Sequence, residues 1–84
     1  MNTQVNTTTA NNSTYKSVEI KANGSKWSFM QVSGKINYIS VCKVTNNHFA
    51  TLGKEFKSWE EVENHYNSRE MQMAIFSAQT ALEA

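Results

Sequence analysis

Few side chains of this 84-residue sequence could perform covalent or metal chemistry. Cys42 and His48 could form a thiol–imidazole pair across a hairpin, but no nearby carboxylate would orient the imidazole. His65 follows Glu61 by four residues, yet no Cys-x-x-Cys or His-x-x-x-His motif supplies further metal ligands. The sequence therefore predicts a protein that is not an enzyme and that holds no metal or other cofactor.

The lysines show the clearest pattern among the charged residues. All seven lie between Lys16 and Lys57, whereas five of the seven glutamates follow Ser58. Seven lysines against two glutamates give +5 for the first part, and one arginine against five glutamates gives −4 for the rest. A molecule with one basic side favours a polyanion or an acidic protein surface as its partner.

The strand and helix patterns around these lysines predict an α+β domain. Alternation of β-branched and aromatic residues at period two predicts a four-stranded antiparallel meander over residues 15–21, 26–32, 35–44 and 48–56. Asn23-Gly24 is the strongest turn signal, and Gly53 indicates a bulge or a close backbone approach. Residues 1–13 contain four Asn, four Thr and no charge, which predicts a flexible polar tail before a single domain over residues 14–84.

A C-terminal helix is predicted to begin after Ser58 and to pack on one face of the sheet. The four residues from Ser58 to Glu61 match a capping box. Two apolar stripes follow, about 120° apart on a regular helix of ~3.6 residues per turn. They are Trp59, Val62 and Tyr66, and then Met71, Ile75, Ala78 and Leu82. Because one straight helix cannot bury both stripes, we predict a kink or break near Asn67, with Ser68 as a fresh cap.

The register of the sheet decides which lysines share a surface. If Trp27, Phe29 and Tyr38 face the helix, the opposite, open face carries lysines around an apolar middle. We predict that this face binds RNA or single-stranded DNA through Tyr15, Lys21, Lys26, Lys35, Asn37 and Lys43, with Lys54 and Lys57 at its margin. Its apolar middle is Met30, Ile39 and Val41, and the small Ser40 and Cys42 would leave room for Trp59 on the helix side. A register shifted by one residue would instead place Tyr38 on the open face, where its ring could stack on a base. The alternative for the lysines is that they only keep one face of a small sheet solvated.

Apolar side chains crowd the C-terminal part of the predicted helix. Met71, Met73, Ile75 and Phe76 face in several directions around a segment too short to bury them all in one small domain. They predict a contact surface for a partner or for a second copy in a homodimer.

The order of four strands and a helix, with residues 34–41 opening the long strand, resembles the single-strand-binding modules of transcriptional coactivator and Whirly type. This resemblance covers about residues 29–73 and implies a curved sheet that holds nucleic acid. A proline-free, Asn-rich chain with a polar head also resembles the small accessory proteins of large lytic bacteriophages. That resemblance implies an alternative function: an antitoxin-like or anti-defence inhibitor that binds a host nuclease, toxin or polymerase, in some cases with RNA as co-ligand.

The compartment is predicted from what the sequence lacks. There is no signal-peptide pattern, and no apolar run approaches the ~18 residues that span a bilayer. The single cysteine excludes an intramolecular disulfide. We therefore predict a cytoplasmic protein without membrane contact, in the host cytoplasm if the protein is viral.

Overall fold

A computed structural model describes residues 4–45, 48–49 and 53–83 of the chain. These residues form six strands and two helices. The strands are β1 (Asn6–Ala10), β2 (Ser13–Ala22), β3 (Ser25–Ser33), β4 (Tyr38–Thr45), β5 (His48–Phe49) and β6 (Lys54–Phe56). The helices are α1 (Trp59–His65) and α2 (Arg69–Glu83).

The strands form one antiparallel sheet in the order β1-β2-β3-β4, and β5 and β6 both pair with β4. Because the other edge of β4 is occupied by β3, β5 and β6 take successive stretches of the same edge. The α+β class and the antiparallel meander are therefore confirmed. Of the predicted fourth strand over residues 48–56, the described residues form two short strands, and residues 50–52 lie outside the described part.

The first strand corrects the prediction of a tail. β1 lies within residues 1–13 and pairs with β2 along its whole length. The connecting Asn11 and Asn12 have φ values of 52° and 64°. A type I′ hairpin needs positive φ at both central residues, and asparagine tolerates this better than most residues do. Every side chain of β1 is exposed, so backbone pairing holds the strand. Its sequence therefore has no apolar pattern that would predict a strand.

Both helices cover the same face of the sheet, as predicted for the single helix. Side chains from the sheet and the helices meet there in one continuous core. The sheet contributes Val18, Ala22, Phe29, Ile39, Val41 and Phe56, and the helices contribute Trp59, Val62, Met71, Ala74, Ile75, Ala78 and Leu82. We call this side the helix face and the opposite side the open face.

Both helix starts are capped as predicted. The Ser58 hydroxyl accepts a hydrogen bond from the Glu61 N–H (3.3 Å), and the Glu61 carboxylate reaches back to accept from the Lys57 N–H (3.2 Å). The Ser68 hydroxyl accepts from the Met71 N–H (3.2 Å). A second cap inside the helical segment confirms the predicted break near residue 67.

The break is held by side chains on both sides of it. The Gln72 side-chain amide donates to the Glu63 carbonyl (2.8 Å) and to the Tyr66 carbonyl, which satisfies acceptors at the end of α1. The side-chain amide of Asn23 donates to the Ser68 hydroxyl (3.0 Å). The β2–β3 turn, whose predicted Asn-Gly pair has positive φ at both residues, thereby docks on the start of α2.

The register of β4 is the main correction to the predicted fold. Val41 is paired with Phe29, and Ile39 with Gln31, so both β4 side chains lie on the helix face, where they are buried. The neighbouring side chains of β4 then lie on the open face, since they alternate along a strand. They are Tyr38, Ser40, Cys42 and Val44.

The predicted register was wrong by one residue in β4, because the pairing of Val41 with Phe29 decides which side chains of the strand face the helices. β4 starts at Tyr38, three residues later than predicted, and Ile36 is 66% exposed in the preceding loop. The Trp59 indole does not rest on small β4 side chains. Its ring packs instead against Phe29, with ring centres 6.5 Å apart.

We expect Ser68→Ala to lower the free energy of unfolding by about 1 kcal/mol, because it removes the cap that starts α2. Ser77→Ala is the matched control, since Ser77 is exposed within α2 and alanine is the better helix former. Urea denaturation measures both variants. Equal stability of the two variants would contradict the capped break.

Tyr66 joins the break to the sheet. Its ring meets Trp27 edge-on, with centres 5.7 Å apart, and it also contacts Phe56 at 6.1 Å. Burial raises the pKa of the Tyr66 phenol above its usual 10.0, and Cys42 acts in the same direction. The folded protein therefore holds this proton more tightly than the unfolded chain does.

This difference makes stability depend on alkaline pH. The stabilisation is complete below pH 10.0, the pKa of the phenol in the unfolded chain. It is lost as the pH rises through the higher pKa of the phenol in the folded protein. We expect Tyr66→Phe, which cannot ionise, to lose less stability than the wild type between about pH 8 and about pH 11. Urea midpoints at both pH values measure this, and equal losses would show that the phenol does not contribute.

Candidate nucleic-acid interface

Three large side chains lie side by side on the open face near one end of the sheet. The register pairs Tyr15 of β2 with Val32 of β3, and Val32 with Tyr38 of β4. Val32 is 3% exposed although it lies outside the core of the helix face, while both tyrosines are half-buried. We call these three residues the tyrosine row. Its two tyrosines stand two strand spacings apart, about 10 Å.

Beyond the tyrosine row the open face is lined mostly by small and polar side chains. Its successive cross-strand rows are Ser17–Met30–Ser40, Glu19–Ser28–Cys42 and Lys21–Lys26–Val44. From Tyr15 to Lys21 the face is about 20 Å long, at ~3.3 Å per residue. Large rings at one end and lysines at the other therefore border a shallow middle.

The lysines do not form the continuous basic face that the sequence predicted. Lys21 and Lys26 do lie on the open face, opposite each other on β2 and β3. The Lys26 ammonium is 3.6 Å from the Glu19 carboxylate, so part of their positive charge is offset. Lys43 is paired with Trp27 and belongs to the helix face, which corrects its predicted place.

The remaining predicted lysines lie at the margins of the sheet. Lys35 is exposed in the loop that precedes Tyr38. Lys54 lies on the helix-face side of β6, with its Nζ 5.9 Å from the Phe56 ring centre. Lys57 is exposed just after β6. Lys35 precedes Tyr38 of the tyrosine row in the chain, and Lys57 lines one cavity together with Tyr38.

A cavity of about 240 Å³ opens beside Tyr38, between the β3–β4 loop and the start of α1. Two residues that line it, Gln31 and Trp59, each have a buried polar atom without a hydrogen-bond partner among the described residues. Gln31 Oε1 is an acceptor and Trp59 Nε1 is a donor. A water molecule at each atom, or a ligand that offers a donor to the first and an acceptor to the second, would satisfy them. No sequence pattern had singled out either polar atom.

Asn37, a predicted nucleic-acid contact, also lines this cavity. Its side-chain oxygen accepts a hydrogen bond from the Gly34 N–H (2.9 Å). Gly34 has a φ of 149°, and a Cβ there would come within 2.7 Å of the Asn12 carbonyl oxygen. The structure therefore gives Asn37 a role in shaping the loop next to the tyrosine row.

Gly53 approaches the sheet as predicted. A Cβ built on Gly53 would collide with the hydroxyl oxygen of Ser40, a residue of the open face. The next atoms, Ser40 Cβ and Cys42 Cβ, would be 3.5 and 3.8 Å away, which is ordinary contact. The Ser40 hydroxyl is therefore the one atom that would have to move for a side chain at position 53.

We expect Gly53→Ala to destabilise the fold by about 1 to 3 kcal/mol through overpacking. Ser40→Ala should remove most of that cost in the double variant, because the nearest remaining atom would be 3.5 Å away. A double-mutant cycle by urea denaturation measures the coupling. Simply additive effects would argue against the close approach.

The predicted partner surface on α2 is divided between two sides of the helix. Met71 and Ile75 are buried against the sheet, which corrects their assignment to a partner. Met73 and Phe76 are 63% and 68% exposed on the other side. Only the second pair remains available for contact.

The structure offers no metal cluster within the part of the chain that it describes, where no three His, Cys, Asp or Glu side chains come close enough to hold an ion. The side chain of His48 lies outside the described residues, so the pairing with Cys42 is untested. None of the described helices is long and apolar enough to cross a membrane.

Comparison with known proteins adds no relative. No protein-family model matches the chain, and no curated protein or solved structure matches it. The resemblances to coactivator and Whirly modules and to bacteriophage accessory proteins therefore stay predictions. Function has to be inferred from the geometry of the site.

Proposed function

We propose that the chain binds single-stranded RNA or DNA on the open face and catalyses no reaction. The observation that carries this proposal is the tyrosine row, in which Tyr15 and Tyr38 flank Val32 on a sheet face that no described helix covers. Stacking of a base on an aromatic ring contributes about 1–3 kcal/mol and tolerates any sequence. Two rings about 10 Å apart can each hold one base.

Phosphate contacts would come from both ends of the open face. Lys21 and Lys26 stand at the end opposite the tyrosine row, and Lys35 stands in the loop beside it. A strand bound between them would run about 20 Å along the sheet. The hydroxyls of Ser17 and Ser28 lie on the same face between the two ends. Such a surface would follow the backbone and bind with little base preference.

A protein partner is the second candidate, and the charge of the open face is the observation that favours it. One of its two lysines is paired with Glu19, and the half-buried Met30 adds apolar surface next to the tyrosine row. This composition also fits the predicted inhibitor of a host protein. The two functions differ in salt dependence. Binding to nucleic acid weakens steeply with added salt because phosphate contacts release condensed counterions, whereas an apolar protein interface changes far less.

Fluorescence anisotropy of labelled single-stranded RNA and DNA tests the proposal. With three lysines on phosphates, at about −0.7 in log–log slope per contact, affinity should fall about 20-fold between about 50 and 200 mM salt. Tyr15→Leu/Tyr38→Leu should weaken binding at least about tenfold, whereas Tyr15→Phe/Tyr38→Phe should retain it because the rings remain.

A charge control separates the two faces. Lys21→Gln/Lys26→Gln should lower affinity and flatten the salt dependence, whereas Lys43→Gln/Lys54→Gln, the same charge change on the helix face, should leave both unchanged. Absence of binding at low salt would overturn the proposal and favour the protein partner. Equal effects of the two lysine pairs would show that binding does not use the open face.

A further inference from the structure

The two sides of helix α2 differ in what covers them. One side is buried on the sheet, as described above. The other consists of exposed residues spaced four, three, four and three positions apart: Arg69, Met73, Phe76, Thr80 and Glu83. This alternation averages 3.5 residues, which is the repeat by which one helix packs along another. We call these five residues the outer seam.

A partner could cover the middle of the outer seam without leaving a hydrogen-bond donor unpaired. Met73 and Phe76 are the two most exposed large apolar side chains of the described helices. The Thr80 hydroxyl already donates to the Phe76 carbonyl (2.9 Å). Covering Thr80 would therefore leave no donor unpaired.

The ends of the outer seam carry opposite charges at equal distances from its centre. Arg69 lies seven residues before Phe76, and Glu83 lies seven residues after it. Within the described part of the chain neither of them belongs to an ion pair. Glu70, the other acid at the start of α2, differs because its carboxylate accepts a hydrogen bond from the Asn23 N–H.

We propose that the outer seam docks on the outer seam of a second copy of this chain, with the two α2 helices antiparallel. A two-fold axis near Phe76 then brings Arg69 of each copy beside the partner's Glu83. A parallel arrangement would instead place like charges together. Opposite charges at the two ends of one seam thus select a symmetric, antiparallel pair.

The proposed contact is small. Helix α2 is about 22 Å long at ~1.5 Å per residue, so one helix against another covers about 1,000 Å² or less in total, which is typical of weak, reversible interfaces. It lies behind the sheet, so both open faces of the dimer stay accessible. The proposal does not depend on what the open face binds.

Sedimentation of the full chain over a range of concentrations tests this dimer. The wild type should associate reversibly, and Phe76→Ser should weaken association at least about tenfold, since it removes the central apolar side chain. Arg69→Glu and Glu83→Arg should each bring like charges together at two symmetric positions and weaken association roughly 4- to 30-fold. Circular dichroism checks that each variant is folded.

The two charge variants also allow a rescue by mixing. A parallel pair already has like charges at both ends in the wild type, so only the antiparallel pair predicts weakening by each variant followed by rescue in the mixture. In an equal mixture, a chain with Glu at 69 and 83 meets a chain with Arg at both positions, so the mixed dimer regains two opposite-charge pairs and wild-type affinity. Glu60→Arg, at an exposed position of α1, is the control and should not change association. A monomeric wild type, charge variants that associate normally, or a mixture without rescue would each overturn the proposal.

Discussion

The fold depends on the break between α1 and α2. An uninterrupted helix would direct one of its two apolar stripes away from the sheet. The Gln72 amide satisfies carbonyls at the end of α1, and the Ser68 hydroxyl caps the start of α2, so the chain can turn without leaving these backbone groups unpaired. Both stripes then reach the same sheet face and close one core, which a domain of this size needs in order to be stable.

Covering one face with both helices leaves the other face of the sheet open. Because side chains alternate along a strand, the choice that buries Ile39 and Val41 also places Tyr38 on the open face and Lys43 on the helix face. The open face is consequently more aromatic and less basic than the sequence predicted. Stacking therefore contributes more to the proposed binding, and phosphate contacts contribute less.

Features that depend only on a few neighbouring residues could be predicted from the sequence. The Asn23-Gly24 turn, the Ser58 cap and the break before Ser68 each depend on a few neighbouring residues, and the structure contains all three. Strand β1 was missed because its exposed, Thr-rich residues carry no apolar pattern and are held by backbone pairing. An edge strand of this kind differs little from a polar tail in sequence.

The candidate site was only partly predictable. Tyr15, Lys21 and Lys26 were assigned to the open face correctly, because apolar residues of β2 and β3 alternate with polar residues. These apolar residues are Val18 and Ile20 of β2, and Trp27 and Phe29 of β3. Strand β4 has apolar residues in both alternations, so the pairing of Phe29 with Val41, a contact between strands, decides its register. Local sequence does not contain that information.

The tyrosine row requires Tyr38 to lie beside Val32 and Tyr15, and nuclear Overhauser contacts in the isotope-labelled chain measure this placement. We expect contacts from the Tyr38 ring to the Val32 methyl groups, and from the Val41 methyl groups to the Phe29 ring. Contacts from the Tyr38 ring to the Phe29 ring or to the Val62 methyl groups, both in the core of the helix face, would rule out this register. They would return Tyr38 to the core and remove the tyrosine row.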